Sequence, residues 1–517
     1  MSTSLGDLPS LAAAVLQPGF EGTTAPDWVL RWTGEGLGGV VLFARNVAHP
    51  GQVAELTAAL RAERPDLLIA IDEEAGDVTR FESREGSSRP GNFALGAIDD
   101  TALTEEVARD LGAELAAAGI NLNYAPDADV NSDPDNPVIG VRSFGADPGL
   151  VARHTAAWIR GLQSAGVAAC AKHFPGHGNT AVDSHLDIPR IGAGRDQLDA
   201  CELPPFRAAI AAGVQAVMTG HLLVPAVDPQ WPATLSRRVL VGLLREELGF
   251  EGAVITDGIE MRAITDRYGF ESAAVRALAA GADAICVGGD HADEASAHRL
   301  RQAVVDAVVA GELPEERLVE AAKRVGQLAA WAAGAQVRPA AGPLGGGPDT
   351  AGAESSIGTA AARRAVRSTF AARREPYAGL PLRGPAHVVE FSPPRNIAIG
   401  AETPWGVGKP LAELLPGTTT VRLDATDMDG GGPSGAEGLP IAVLRAAAGR
   451  PLVLVVRDLH RHPWMASAVA MALTARPDAI VVELGVPEMV VGDVHLATYG
   501  ASRAAGWAAA HALTAGS

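Results

Sequence analysis

The chain has 517 residues, of which 47% are hydrophobic and 20% charged, and it carries a formal net charge of -19. That length exceeds one ordinary core, so two domains are expected, with one large barrel-type domain allowed. The acidic balance argues against a nucleic-acid or anionic-membrane surface, since both need clustered Lys and Arg, but leaves a small neutral ligand open. Three cysteines, Cys170, Cys201 and Cys286, are too few for a disulfide framework. They read as small buried hydrophobes in a reducing compartment. The first residues lack a basic n-region, the apolar run 11–16 lacks a cleavage pattern, and no window is long and apolar enough to span a bilayer. The expected location is therefore cytoplasmic, with no membrane partner.

Apolar runs alternate with helix-length segments up to about residue 335. Residues 39–43 read as a strand and are followed by a helical pattern around 53–60. A strand at 67–71 ends in Asp72-Glu73-Glu74, a helix is expected over 103–118, and 120–124 reads as the next strand. Further strands are expected at 167–171, 216–221, 252–257 and 282–288. These runs are continuous rather than alternating, as expected where helices cover both faces of a parallel sheet. Seven or more such repeats over roughly 300 residues suit a TIM-type (β/α)8-like barrel better than an open sheet.

Residues 342–355 form a Gly/Pro-rich linker, which places the catalytic barrel at 1–341. Beyond it a smaller α/β sandwich domain is expected over 356–517. Its strands fall at 387–391, 419–423, 452–456 and 479–483, with helices near 464–475 and 501–514. No constellation there compares with that of the first domain.

Asp72, Asp127 and Asp129, Lys172 and His173, His221, and Asp257 all stand at or just past strand ends. A barrel gathers those ends on one face, whereas helix capping would account for one or two acidic residues but not for the lysine and histidines. The stretch 172–185, Lys-His-Phe-Pro-Gly-His-Gly-Asn-Thr-Ala-Val-Asp-Ser-His, packs a lysine, three histidines and an aspartate into a Gly-rich segment. His173, His177, Asp183 and His185 are competent metal ligands, but their spacing matches no metal motif and the adjacent lysine would repel a cation. No metal or cofactor is expected. Asp183 stands two residues before His185, where a carboxylate can fix the imidazole tautomer and raise its pKa, making a general acid/base. Asp257, followed by Gly258, suits a nucleophile at a strand end, and nucleophile plus separate acid/base is the logic of a retaining glycosidase.

With these residues in place, the chain resembles glycoside hydrolase family 3, in its β-N-acetylglucosaminidase branch, over residues 5–335. The motifs, in order, are Leu42-Phe43-Ala44-Arg45-Asn46, 72–80, 125–131, Arg142-Ser143-Phe144-Gly145, 172–185, Met218-Thr219-Gly220-His221, 232–236 and Thr256-Asp257. The resemblance implies that Asp257 is the nucleophile and His185 the acid/base held by Asp183. It further implies that Asp72, Arg80, Arg142, Lys172 and His173 contact the sugar and its N-acetyl group, with His221 a weaker addition. Two positions depart from the family pattern: Asp77 stands where a basic residue is usual, and Asn179 where an aspartate is usual. The implied substrate is a small oligosaccharide or muropeptide-like fragment carrying terminal β-N-acetylglucosamine. A phosphorylase using the same pair stays open, because a neutral imidazole does not repel a phosphate dianion. A sugar-binding barrel without activity would need a broken catalytic pair, yet Asp183, His185 and Asp257 are all present. The oligomeric state is open, with a monomer favoured.

Overall fold

The computed structural model describes residues 8–180, 188–289, 291–336, 356–371, 380–394, 396, 398–400, 403–428 and 444–515. The linker expected at 342–355 lies outside them. The chain divides into two compact units: residues 1–74, 101–139 and 143–353 form the first, and residues 75–100, 140–142 and 354–517 the second.

The first unit is a parallel (β/α) barrel. Its strands are β1 (Leu16–Pro18), β2 (Gly39–Leu42), β3 (Leu68–Ile71), β4 (Leu122–Asn123), β5 (Ala168–Phe174), β6 (Ala216–Thr219), β7 (Ala253–Thr256) and β8 (Ile285–Val287). β2 to β7 pair in chain order, and Ile255 bridges to Ala284 at the start of β8. β8 pairs with β1, and β1 lies against β2, where a Cβ on Gly39 would stand 3.3 Å from Gln17 Cγ. The ring is thereby completed.

Residues two apart on one strand point the same way, and Leu68 with Ala70, Ala168 with Cys170, Ala216 with Met218 and Ala253 with Ile255 fill the barrel interior. Most are small, which suits a narrow filled barrel rather than a pore. Helix Glu315–Gln336 contributes Val325, Leu328, Ala329 and Ala332 to the same cluster. An ion network sits at that end: buried Asp283, before β8, accepts from Arg245, from Arg317 at 2.6 Å and from Arg324 at 3.4 Å.

β1 was not expected: a three-residue strand ending in Pro18 carries no periodic signal. β4 is shorter than the expected run because its neighbours are polar. The Asn121 amide bonds both Ile69 N and the Leu67 carbonyl, and the Asn123 amide bonds both Glu73 N and the Glu73 carbonyl. These side chains take over hydrogen bonds that a longer β4 would have supplied to β3.

In the second unit five parallel strands form one sheet: β9 (His387–Phe391), β10 (Thr419–Leu423), β11 (Leu452–Val456), β12 (Ile480–Glu483) and β13 (Val494–Ala497), in the order β10-β9-β11-β12-β13. Alternate residues of β11 separate into two cores, Val453 and Val455 in one and Leu452, Leu454 and Val456 in the other. The unit is thus a three-layer α/β sandwich. β13 is an unanticipated edge strand.

The division between units is not a single cut at the linker. Residues 75–100 belong with the second unit, because that is where their polar groups are satisfied. Asp77, the acidic departure noted above, pairs with Arg457 and accepts from the Ala501 N–H at 2.6 Å. Glu82 accepts from Arg503 at 3.1 Å, Arg364 reaches Asp100 at 2.6 Å, and the Phe93 ring lies 5.9 Å from that of Tyr499. Burial pushes the Asp77 carboxyl up from its ordinary value, while Arg457 and the Ala501 N–H pull it back. Arg457→Met should therefore destabilise the protein by about 3–5 kcal/mol, since the carboxylate would be left buried and unpaired. Chemical denaturation at neutral pH measures this; a loss within about 0.5 kcal/mol would contradict it.

Candidate active site

The C-terminal ends of the barrel strands carry the candidate residues. β3 runs directly into Asp72 and Glu74, and β5 carries Lys172 and His173. The β5–β6 register shifts between Ala171 and Phe174, over these two residues. Such an irregularity re-aims side chains beside active sites.

The Lys172 ammonium pairs with Asp72 and lies 2.6 Å from Glu74. The Lys172 and Glu74 side chains are each 2% exposed and that of Asp72 is 22% exposed. One buried cation therefore holds two carboxylates, one sealed and one open to a ligand. No role for Glu74 was legible in the sequence, where a glutamate three residues past a strand end carries no signal of its own.

Asp129 organises the next segment. Its Oδ2 lies 2.7 Å from His173 Nδ1, and its Oδ1 accepts from the backbone N–H of His173 at 3.2 Å and of His177 at 2.7 Å. Burial pushes the Asp129 carboxyl up, but the charges and hydrogen bonds of His173 and His177 outweigh it and hold the group below its ordinary value. Asp127, Asp129 and His173 can each bring one ligand atom within 4.8 Å of the others. Both Asp129 oxygens are nonetheless engaged by these N–H groups, so the cluster is explained as a hydrogen-bond network. His177 Nδ1 lies 2.8 Å from Thr180 Oγ1, and its carbonyl accepts from Asn136 at 2.9 Å. This turn requires its glycines. Gly176 has φ +125°, and a Cβ on Gly178 would stand 1.7 Å from the Val130 carbonyl oxygen.

Asp257 follows β7, and its Oδ1 accepts from the Gly258 N–H at 2.8 Å. His221, after β6, is fully buried, with Nδ1 2.8 Å from Thr234 Oγ1 and Nε2–H donating to the Gly258 carbonyl at 2.9 Å. Both its ring nitrogens are engaged by protein, and it holds the residue next to Asp257. Glu260 ties the same loop to the end of β8, accepting from the backbone of Gly288 at 2.9 Å and of Gly289.

The thiols of Cys170 and Cys286 report how these groups converge. Burial pushes both well up, and the carboxylates of Asp72 and Asp257 push both the same way. Residues separated by 185 positions thus act on the same two inward-facing thiols. Arg80 and Arg142 belong to the second unit. Arg80 donates to the Ala398 carbonyl at 2.9 Å, and buried Arg142 accepts from Asn92 on its carbonyl at 2.7 Å. Asp183 and His185 lie outside the described residues.

Residues 24–328 match the model of the glycosyl hydrolase family 3 N-terminal domain. The chain belongs to glycosyl hydrolase family 3. It is 36% identical over 316 residues to a β-hexosaminidase A of Pseudoalteromonas piscicida, covering 56% of this chain and 53% of that one. This family 3 chain therefore spans about half the length of that relative. A β-hexosaminidase of Pseudomonas aeruginosa is 42% identical over 260 residues, covering 50% of this chain and 76% of that one. Among solved structures, a glycoside hydrolase family 3 β-N-acetylglucosaminidase from Paenibacillus sp. str. FPU-7 aligns with TM-score 0.83 and 35% identity. That alignment covers 99% of this chain and 97% of that one. The family 3 barrel accounts for the β/α repeats read from the sequence, and no described helix is long and apolar enough to cross a membrane.

Proposed function

We propose that this family 3 protein is a retaining glycoside hydrolase that removes terminal β-linked N-acetylglucosamine through a covalent glycosyl-Asp257 intermediate. The observation that carries this reading is the strand-end arrangement of the barrel. Asp257 at the end of β7 is fixed by Gly258 and, through it, by His221, while Asp72 at the end of β3 is fixed by Lys172 of β5.

In the first step a carboxylate oxygen of Asp257 bonds to the anomeric carbon as the glycosidic C–O bond breaks. The leaving oxygen takes a proton from the His185 imidazolium, which Asp183 orients. In the second step His185 removes a proton from water, the water oxygen bonds to the anomeric carbon, and the Asp257 carboxylate leaves. Asp72 accepts from sugar hydroxyls, and Lys172 fixes its orientation. His173, bound through Nδ1 to Asp129, is proposed as a further sugar contact. His221 acts by holding Gly258 rather than by touching the sugar. The setting that fits is turnover of small cell-wall-type oligosaccharides in the cytoplasm, supported by three free thiols.

The test is an aryl β-N-acetylglucosaminide in phosphate-free buffer. Release of the aryl group together with free N-acetylglucosamine is expected. Turnover that appears only on adding phosphate and yields the sugar 1-phosphate would make the protein a phosphorylase.

A further inference from the structure

Glu202 is a titratable group that the mechanism above leaves unused. It ends the π-helical turn Leu198–Glu202, which leads into the helix Leu203–Ala211 packed outside β5. It is 1% exposed, and among the described residues neither carboxyl oxygen has a hydrogen-bond partner. The Cys201 thiol is near enough to act on it but makes no hydrogen bond with it by geometry. A buried carboxyl without partners is costly and calls for an explanation.

Its surroundings supply one. A Cβ built on Gly176 would stand 2.5 Å from Glu202 Oε2 and 2.8 Å from Glu202 Cβ. The side chain is thus the floor on which the Gly176 turn rests, at the point where the chain leaves β5 for residues 183 and 185. Among the described residues, the charged group acting on Glu202 from another element is Asp129, which itself holds His173 and His177. The other titratable group acting on it is Cys201, on its own turn.

We propose that Glu202 is a positioning residue for the proton-transfer segment: as an uncharged carboxyl it seats the Gly176 turn and leaves Asp129 committed to His173 and His177. The inference rests on the reading of Asp183 and His185 given above. Once ionised, Glu202 would set a second carboxylate against Asp129 beneath the same turn, and the seat would loosen. Burial first, and then the Asp129 charge, push the Glu202 carboxyl up to about 8. The uncharged form therefore prevails at neutral pH and is lost above that value.

A carboxyl whose folded value lies above its ordinary 4.5 costs nothing below 4.5. The cost grows as pH rises through the window up to about 8 and is constant beyond it.

Glu202→Gln keeps shape and removes the charge. Between pH 7 and pH 9 the wild type should lose about tenfold more of its kcat/KM than E202Q does, one unit above the Glu202 value being worth about a factor of ten. The limb contributed by His185 is common to both proteins and cancels. Without substrate, the Tm of E202Q should fall less than that of the wild type from pH 4.5 to 8. Glu202→Asp, which withdraws the carboxyl from Gly176, should lower kcat at pH 7 at least fivefold with little change in KM.

Equal pH 9 to pH 7 ratios in wild type and E202Q would overturn the role, as would parallel Tm curves or an E202D variant with wild-type kcat. Wild-type turnover at pH 7 is the control. Its absence would sink the functional reading itself, whereas turnover with equal ratios sinks only the Glu202 role. Should E202Q fail to fold, Glu202→Met, likewise uncharged and of similar length, replaces it with the same expected ratio.

Discussion

Asp257→Ala should abolish turnover of an aryl β-N-acetylglucosaminide, lowering kcat by roughly 10⁴ to 10⁶, the range expected when an enzymatic nucleophile is removed. That corresponds to about 5–8 kcal/mol of lost transition-state stabilisation. The fold should survive, because Asp257 is partly exposed and accepts from the N–H of its own neighbour Gly258. A slow fluorosugar inactivator should label Asp257 in the wild type, and peptide mapping locates the adduct. Azide offers a stereochemical check. In Asp257→Ala it should enter from the face the carboxylate occupied and give the α-glycosyl azide. In His185→Ala it should attack the glycosyl-enzyme from the opposite face and give the β-azide. A label on any other residue, or an α-azide from both variants, would remove Asp257 from the nucleophile's place.

The second large effect concerns Lys172. Lys172→Met retains length and apolar bulk but leaves Glu74, 2% exposed, beside Asp72 without the cation between them. A loss of about 3–5 kcal/mol at neutral pH is expected, together with loss of activity as Asp72 loses its fixed orientation. The deficit should shrink as the pH is lowered, because protonating the carboxylates removes the charge that the ammonium balances. Lys172→Arg should not rescue, since a planar fork needs more room than the buried ammonium occupies. Urea melts of the three proteins across pH decide this. A Met variant as stable as wild type at pH 7 would mean that the two carboxylates do not depend on the cation.

The barrel was legible because its strands are continuous apolar runs with small residues at alternate positions and chemistry at their ends. β1 and β13 were not, because Pro18 ends the one and His495 interrupts the other, and β4 was half concealed because Asn121 and Asn123 do with side chains what a strand does with its backbone. The cluster at Lys172 and His173 was visible as a polar interruption of a buried run. Its partners were less so. Asp129 shows in sequence only as one of several acidic residues after β4, and Glu202 sits in a helical segment where a glutamate is unremarkable. Asp77 could be seen as a departure but not explained, because Arg457 is 380 positions away and no composition break marks residues 75–100.

Those residues have a consequence for how the molecule is made. The barrel ring needs β8, and its lower end needs the helix ending at Gln336. At ordinary synthesis rates that helix is completed roughly 15 to 70 s after residue 1. Residues 75–100 wait longer, since Arg457, Tyr499 and Arg503 all follow that helix in the chain. For that interval a segment rich in charge hangs from an otherwise complete barrel, exposed to proteases and chaperones. The two units are thus interleaved along the chain, and the second cannot finish folding without a piece synthesised with the first.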